Sequence, residues 1–171
     1  MFGPFKKKPS YRDIVPMILK DALEIDLRKG DSFDGFTFNT LEALIAVFWI
    51  VERSFWALPQ PKHEKAGEFA LEILLNDLRD DYTSEEMKSF VIPCFQTRTD
   101  EYGALFTLKA GQETSAALMP VCQRMVANIT GRGDPGDTLS QILTAATYWF
   151  PSIIGFGNIL ADLDREGSVS W

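Results

Sequence analysis

The stretch TLSQILTAATYWFPSIIGFGNILA, from Thr138 to Ala161, contains no charged residue and is long enough to cross a membrane. Folded as a helix, however, it divides into an apolar and a polar face, a pattern that a lipid-surrounded helix does not need. The apolar face holds Leu139, Ile142, Leu143, Ala146, Trp149 and Phe150. The polar face holds Ser140, Gln141, Thr144, Thr147 and Tyr148. The pattern therefore predicts packing within a soluble fold.

Proline and the flanking charges point the same way. Pro151 interrupts the stretch, and Asp137 before it and Asp162 and Asp164 after it are acidic, whereas membrane spans carry basic anchors. The sequence predicts two short packed helices hinged at Pro151. The absence of charge further indicates that even the polar face is covered, by other helices or by a second copy of the chain.

A second apolar stretch, LEALIAVFWIV from Leu41 to Val51, is apolar nearly all round. A helix of this kind lies at the centre of a fold and is covered on several sides. Asn39 and Glu42 have the spacing of a capping box at its start. We expect the segments 41–55 and 139–150 to form the central pair of helices.

The rest of the chain has helical spacing and helix-capping residues. Capping-box spacing recurs at Ser10 with Asp13 and at Thr83 with Glu86. The fold class predicted is all-α, a single-domain helical bundle of about six to seven helices spanning residues 10–166. Residues 1–9 are expected to form a flexible N-terminal tail and residues 167–171 a C-terminal tail. Tyr102–Lys109 fits either a helix or a strand.

Composition limits the classes of function. The chain has 171 residues and a net charge of −7, so it lacks the basic surface of a general nucleic-acid binder. The N-terminus has no secretory signal, and the sequence predicts a cytoplasmic protein. Cys94 and Cys122 lie in apolar surroundings and are interpreted as buried thiols, without an indication of whether they lie near each other.

Catalytic patterns are sparse. His63 is the only histidine, and it lies in a charged segment at a helix start. Triad chemistry and most zinc sites need more than this. The sequence predicts no catalytic residue and no cofactor.

One acidic cluster offers an alternative. Asp77 and Asp81 are one helical turn apart, and Asp80 lies between them. Carboxylates on one helix face can hold Mg²⁺ together with waters or a phosphate substrate. This pattern allows a metal-dependent hydrolase that acts on a phosphate-containing small molecule, although solvated capping residues are the favoured explanation.

Two aromatic segments carry the remaining hypotheses. Phe33, Phe36 and Phe38 in a loop either fold back onto the core or form an exposed interaction face. Near the N-terminus, a set of apolar and basic residues can contact an anionic membrane surface weakly. That set consists of Phe2, Phe5, Lys6, Lys7 and Lys8.

The leading hypothesis is a non-catalytic interaction, regulatory or assembly protein that binds a protein partner or forms a homodimer. The metal-dependent hydrolase and a peripheral membrane-associated factor are the alternatives.

Overall fold

The computed structural model of the protein describes residues 8–23, 33, 35–107, 109 and 111–171, except for the side chains of residues 148–150, 152 and 153. Within these ranges it contains seven α-helices and no strand, which confirms the predicted all-α helical bundle. The helices are α1 (Tyr11–Leu23), α2 (Thr40–Phe55), α3 (Lys62–Leu78), α4 (Ser84–Glu86), α5 (Ile92–Leu105), α6 (Thr114–Thr130) and α7 (Leu139–Arg165).

Helix α2 is the centre of the bundle. It packs against α1, α3, α5, α6 and α7, most extensively against α7, as the two apolar stretches predict. Every residue of α2 is buried except Thr40, Leu44, Glu52 and Arg53. Its apolar residues need cover on all sides, and the surrounding helices provide it.

The start of α2 departs from the predicted capping box. The side-chain oxygen of Asn39 accepts the N–H of Glu42 at 3.2 Å, which is one half of the box. The Asn39 N–H donates instead to the carbonyl of Ile129 at the end of α6, at 2.8 Å. The Glu42 carboxylate is therefore available for another role, described below.

The C-terminal residues pack onto the start of α1. Ser10 and Ser170 form an isolated parallel β-bridge, and Val169 is buried. The ring of Trp171 stacks on Tyr11 with centroids 6.3 Å apart. The segment predicted as a C-terminal tail, 167–171, thus contributes to the fold by closing over the first helix.

A π-helical turn, Met87–Val91, joins α4 to α5. The predicted capping box of Thr83 and Glu86 is confirmed, with both reciprocal hydrogen bonds present. Pro93 follows the turn and cannot continue a regular helical hydrogen-bond ladder, which accounts for a widened turn at this point. Helix α5 continues to Leu105, so the first residues of Tyr102–Lys109 are helical and no strand is found among the described ones.

Helix α7 is one continuous element of 27 residues, with Pro151 inside it. The prediction of two helices hinged at Pro151 is therefore wrong. A proline removes one backbone hydrogen bond and bends a helix, but packing along both of its halves can hold the helix together. Here α7 packs against α2 and α6.

Candidate functional site

The exposed face of α7 is the most distinctive surface of the described structure. Leu139, Leu143 and Ile154 are 57%, 51% and 53% exposed. A helix turns by about 100° per residue, so positions four and eleven residues apart share a face. Exposed Thr147 and Asn158 lie on the same face. We call these residues the α7 stripe: Leu139, Leu143, Thr147, Ile154 and Asn158.

The opposite face of α7 explains why these residues point outward. Ile142, Ala145 and Leu160 are buried against the bundle. Where Gly157 meets the end of α2, a Cβ atom would lie 3.5 Å from the carbonyl oxygen of Ser54. This is ordinary van der Waals contact, and the burial of Ile142, Ala145 and Leu160 fixes the rotation of α7 about its axis.

This rotation corrects the predicted inner face. The sequence pattern placed Leu139 and Leu143 on the core side and Gln141 on the polar side. In the structure Gln141 is buried and both leucines are exposed. The helix carries apolar residues on much of its circumference, so its faces differ little in hydrophobicity. Packing against the other helices therefore decides the rotation.

The α7 stripe carries no charge. No Asp, Glu, Lys or Arg occurs between Thr138 and Ala161, in a chain with a net charge of −7. The hydroxyl of Thr147 donates to the carbonyl of Leu143 at 2.8 Å, so this polar group is satisfied within its own helix. The nearest charged residues in the sequence are Asp137 before the stripe and Asp162 after it, and Asp162 pairs with Arg165 at 2.8 Å.

The other large apolar side chains that are exposed among the described residues are Met17 and Leu23 on α1, Trp56, Phe90, and Ile159 on α7 itself. Phe90 on the π-helical turn is 54% exposed, and Trp56 after α2 is 56% exposed. Trp56 is already engaged, because its indole N–H donates to Glu52 at 3.1 Å and the Arg53 guanidinium lies 4.0 Å from its ring centroid. Isolated apolar residues of this kind are common on protein surfaces.

A second feature is the carboxylate of Glu42, whose side chain is only 8% exposed. Arg98 on α5 donates to it from Nε at 2.9 and 3.0 Å and from Nη2 at 2.9 Å. Arg98 also contacts Glu101, which pairs with Arg124 on α6 at 3.2 Å. A buried carboxylate requires such partners because burial alone strongly disfavours its charge.

The network extends to Asn128, whose side-chain amide donates to the phenol oxygen of Tyr102 at 3.0 Å and to Glu101 at 3.3 Å. Hydrogen bonding to Glu42 raises the pKa of Arg98, so this guanidinium stays charged. Burial raises the pKa of Tyr102, so its phenol stays neutral. The network links α2, α5 and α6 through fixed charges.

Neither cysteine has the environment of a reactive thiol. Burial raises the pKa of Cys94 first, and the neighbouring Glu42 carboxylate raises it further. Burial raises the pKa of Cys122 to about 12. Both thiols are free and stay protonated at neutral pH, whereas nucleophilic cysteines have a lowered pKa.

The structure does not bring the predicted metal ligands together. Asp77, Asp80 and Asp81 are all exposed around the C-terminal end of α3. Their segment forms backbone turns, such as the one in which the N–H of Asp80 donates to the carbonyl of Asp77 at 3.3 Å. Across the described residues, no group of three or more His, Cys, Asp or Glu side chains is placed to hold a metal ion.

The aromatic loop folds back onto the bundle rather than forming an exposed face. Phe33 is buried, and the half-buried Phe38 packs against it edge-to-face with centroids 5.6 Å apart. Phe36 is half-buried, and the guanidinium of Arg132 lies 4.8 Å from its ring centroid. The interaction face predicted at Phe33, Phe36 and Phe38 is thus occupied by contacts within the chain.

The remaining residues singled out in the sequence are those of the N-terminal set and His63. Phe2, Phe5, Lys6 and Lys7 lie outside the described residues, and Lys8 is exposed. His63 lies half-buried beside Trp56, with ring centroids 6.3 Å apart. None of the helices in the described part of the chain has both the length and the apolar character needed to span a membrane.

The sequence did not predict the ion-paired network around Glu42. Glu42 was assigned to a capping box, and Arg98 and Glu101 were not singled out. One signal was present: Glu42 is the only charged residue in the apolar segment 41–51. A lone carboxylate in a helix that is buried all round needs a cation beside it, which is the partly exposed Arg98.

Comparison with family models, with curated proteins and with solved structures gives no match to this chain.

Proposed function

We propose that this chain is a non-catalytic interaction protein that binds a protein partner through the α7 stripe. The observation that carries the proposal is the exposure of three large aliphatic side chains, Leu139, Leu143 and Ile154, on one uncharged helix face. An apolar helix face that the chain does not cover gains free energy when a partner removes it from water.

The rigid support of the stripe favours this function. The α7 stripe lies on the helix that packs most extensively against α2. The ion-paired network of Glu42, Arg98 and Glu101 ties α2 to α5, next to this pair. A preformed surface loses less conformational entropy on binding than a mobile segment does. We assign the network a structural role in holding the bundle and no role in chemistry.

The proposed location is the cytoplasm. Free thiols at Cys94 and Cys122 are typical of a reducing compartment, although they do not require one. Fractionation of the cells that produce the chain tests this location. Recovery with the secreted or membrane fraction would contradict it.

Site-specific photo-crosslinking in those cells tests the proposed function. A photoreactive residue at Thr147, within the α7 stripe, is expected to form a covalent protein adduct. The control position is Asp80, which is exposed after α3. A photoreactive residue at this position is expected to form no protein adduct. The Leu143→Arg substitution should remove the adduct at position 147, because it places a charge in an apolar contact.

Two results would contradict the proposed function. One is the absence of any adduct at position 147. The other is an adduct that forms equally at positions 147 and 80 and persists with Leu143→Arg. Far-UV circular dichroism of each purified variant shows that the helical fold is retained.

A further inference from the structure

We draw no further inference here: the strongest candidate, the exposed apolar face of α7 at Leu139, Leu143 and Ile154, belongs to the site already described, and nothing in the described part of the structure shows what covers it.

Discussion

Helices α2 and α7 are the two apolar helices of the protein, yet the bundle treats them differently. Helix α2 is surrounded by five other helices, and even its one buried carboxylate, Glu42, is held by Arg98. Helix α7 is covered by α2 and α6 on one side and leaves the α7 stripe in solvent. A helix with few charged residues can therefore be buried on all sides within its own chain, as α2 is. It can also leave an apolar face exposed to solvent, as α7 does.

The largest expected effect comes from the centre of α2. Trp49 is 1% exposed and packs edge-to-face on Tyr102 and Phe106. Trp49→Ala should lower the free energy of unfolding by about 3–5 kcal/mol, because it leaves a cavity in the core. Trp56→Ala, at the exposed end of the same helix, should cost about 1 kcal/mol or less. Urea unfolding followed by far-UV circular dichroism measures both, and equal costs would contradict the central position of α2.

Removing the cation beside the buried Glu42 carboxylate should have the next largest effect. Arg98→Met leaves the Glu42 carboxylate without its cation, and we expect a loss of about 2–4 kcal/mol in unfolding free energy. Arg124→Met is the control, since Arg124 is half exposed and pairs only at the rim with Glu101. It should cost about 1 kcal/mol or less.

A double substitution shows whether the cost arises from the unpaired carboxylate. Glu42→Leu combined with Arg98→Met should recover most of the stability lost in Arg98→Met alone, because no buried charge remains. A double-mutant cycle measures this coupling. Additive losses would show that Arg98 stabilises the bundle through packing of its side chain rather than through Glu42.

Two neighbouring residues of α7, Ile142 and Leu143, differ in exposure and test which face of the helix is buried. Ile142 is 1% exposed and Leu143 is 51% exposed. Ile142→Ala should cost about 2–4 kcal/mol through a core cavity, and Leu143→Ala about 0.5 kcal/mol or less in dilute protein. Urea unfolding followed by far-UV circular dichroism measures both costs. The reverse order of the two costs would place the wrong face of α7 in the core.

The smallest effect is a pH dependence at Tyr102. Its pKa is raised in the folded protein, first by burial, while the phenol of the unfolded chain loses its proton near pH 10. Deprotonation above that pH therefore favours the unfolded state, and the stabilisation present below about pH 10 is lost as the pH rises further. Tyr102→Phe lacks this titration.

Unfolding free energies measured against pH test the phenol titration. Above pH 10 the original chain should lose up to about 1.4 kcal/mol per pH unit more than Tyr102→Phe does. Between pH 6 and 9 the two should differ by a constant amount, which reports the lost hydrogen bond from Asn128. Parallel curves over the whole range would contradict the neutral buried phenol.

Local signals made much of the fold predictable. The capping residues Asn39 and Thr83 mark helix starts because their side chains accept backbone N–H groups that no preceding turn can satisfy. Gly131 ends α6 at a φ of +67°, a conformation that favours glycine. These effects act within one helical turn, so adjacent residues suffice to predict them.

The candidate site was predictable only in part. The uncharged stretch 138–161 drew attention to α7 and to cover by a second copy. The rotation of the helix was not predictable, because Leu139 and Leu143 fit an inner face as well as Ile142 and Ala146 do. The aromatic loop around Phe36 also suggested an apolar interaction face. In the structure, contacts within the chain occupy that face.

The sequence by itself determined the all-α class, the positions of most helix starts and the central place of α2. Only the tertiary structure decided that α7 continues through Pro151, that Glu42 pairs with Arg98, and which face of α7 stays in solvent. The physical reason is the range of the interactions. Capping and helical periodicity act over a few residues, whereas the pairing of a buried charge and the rotation of a helix depend on residues far apart in the chain.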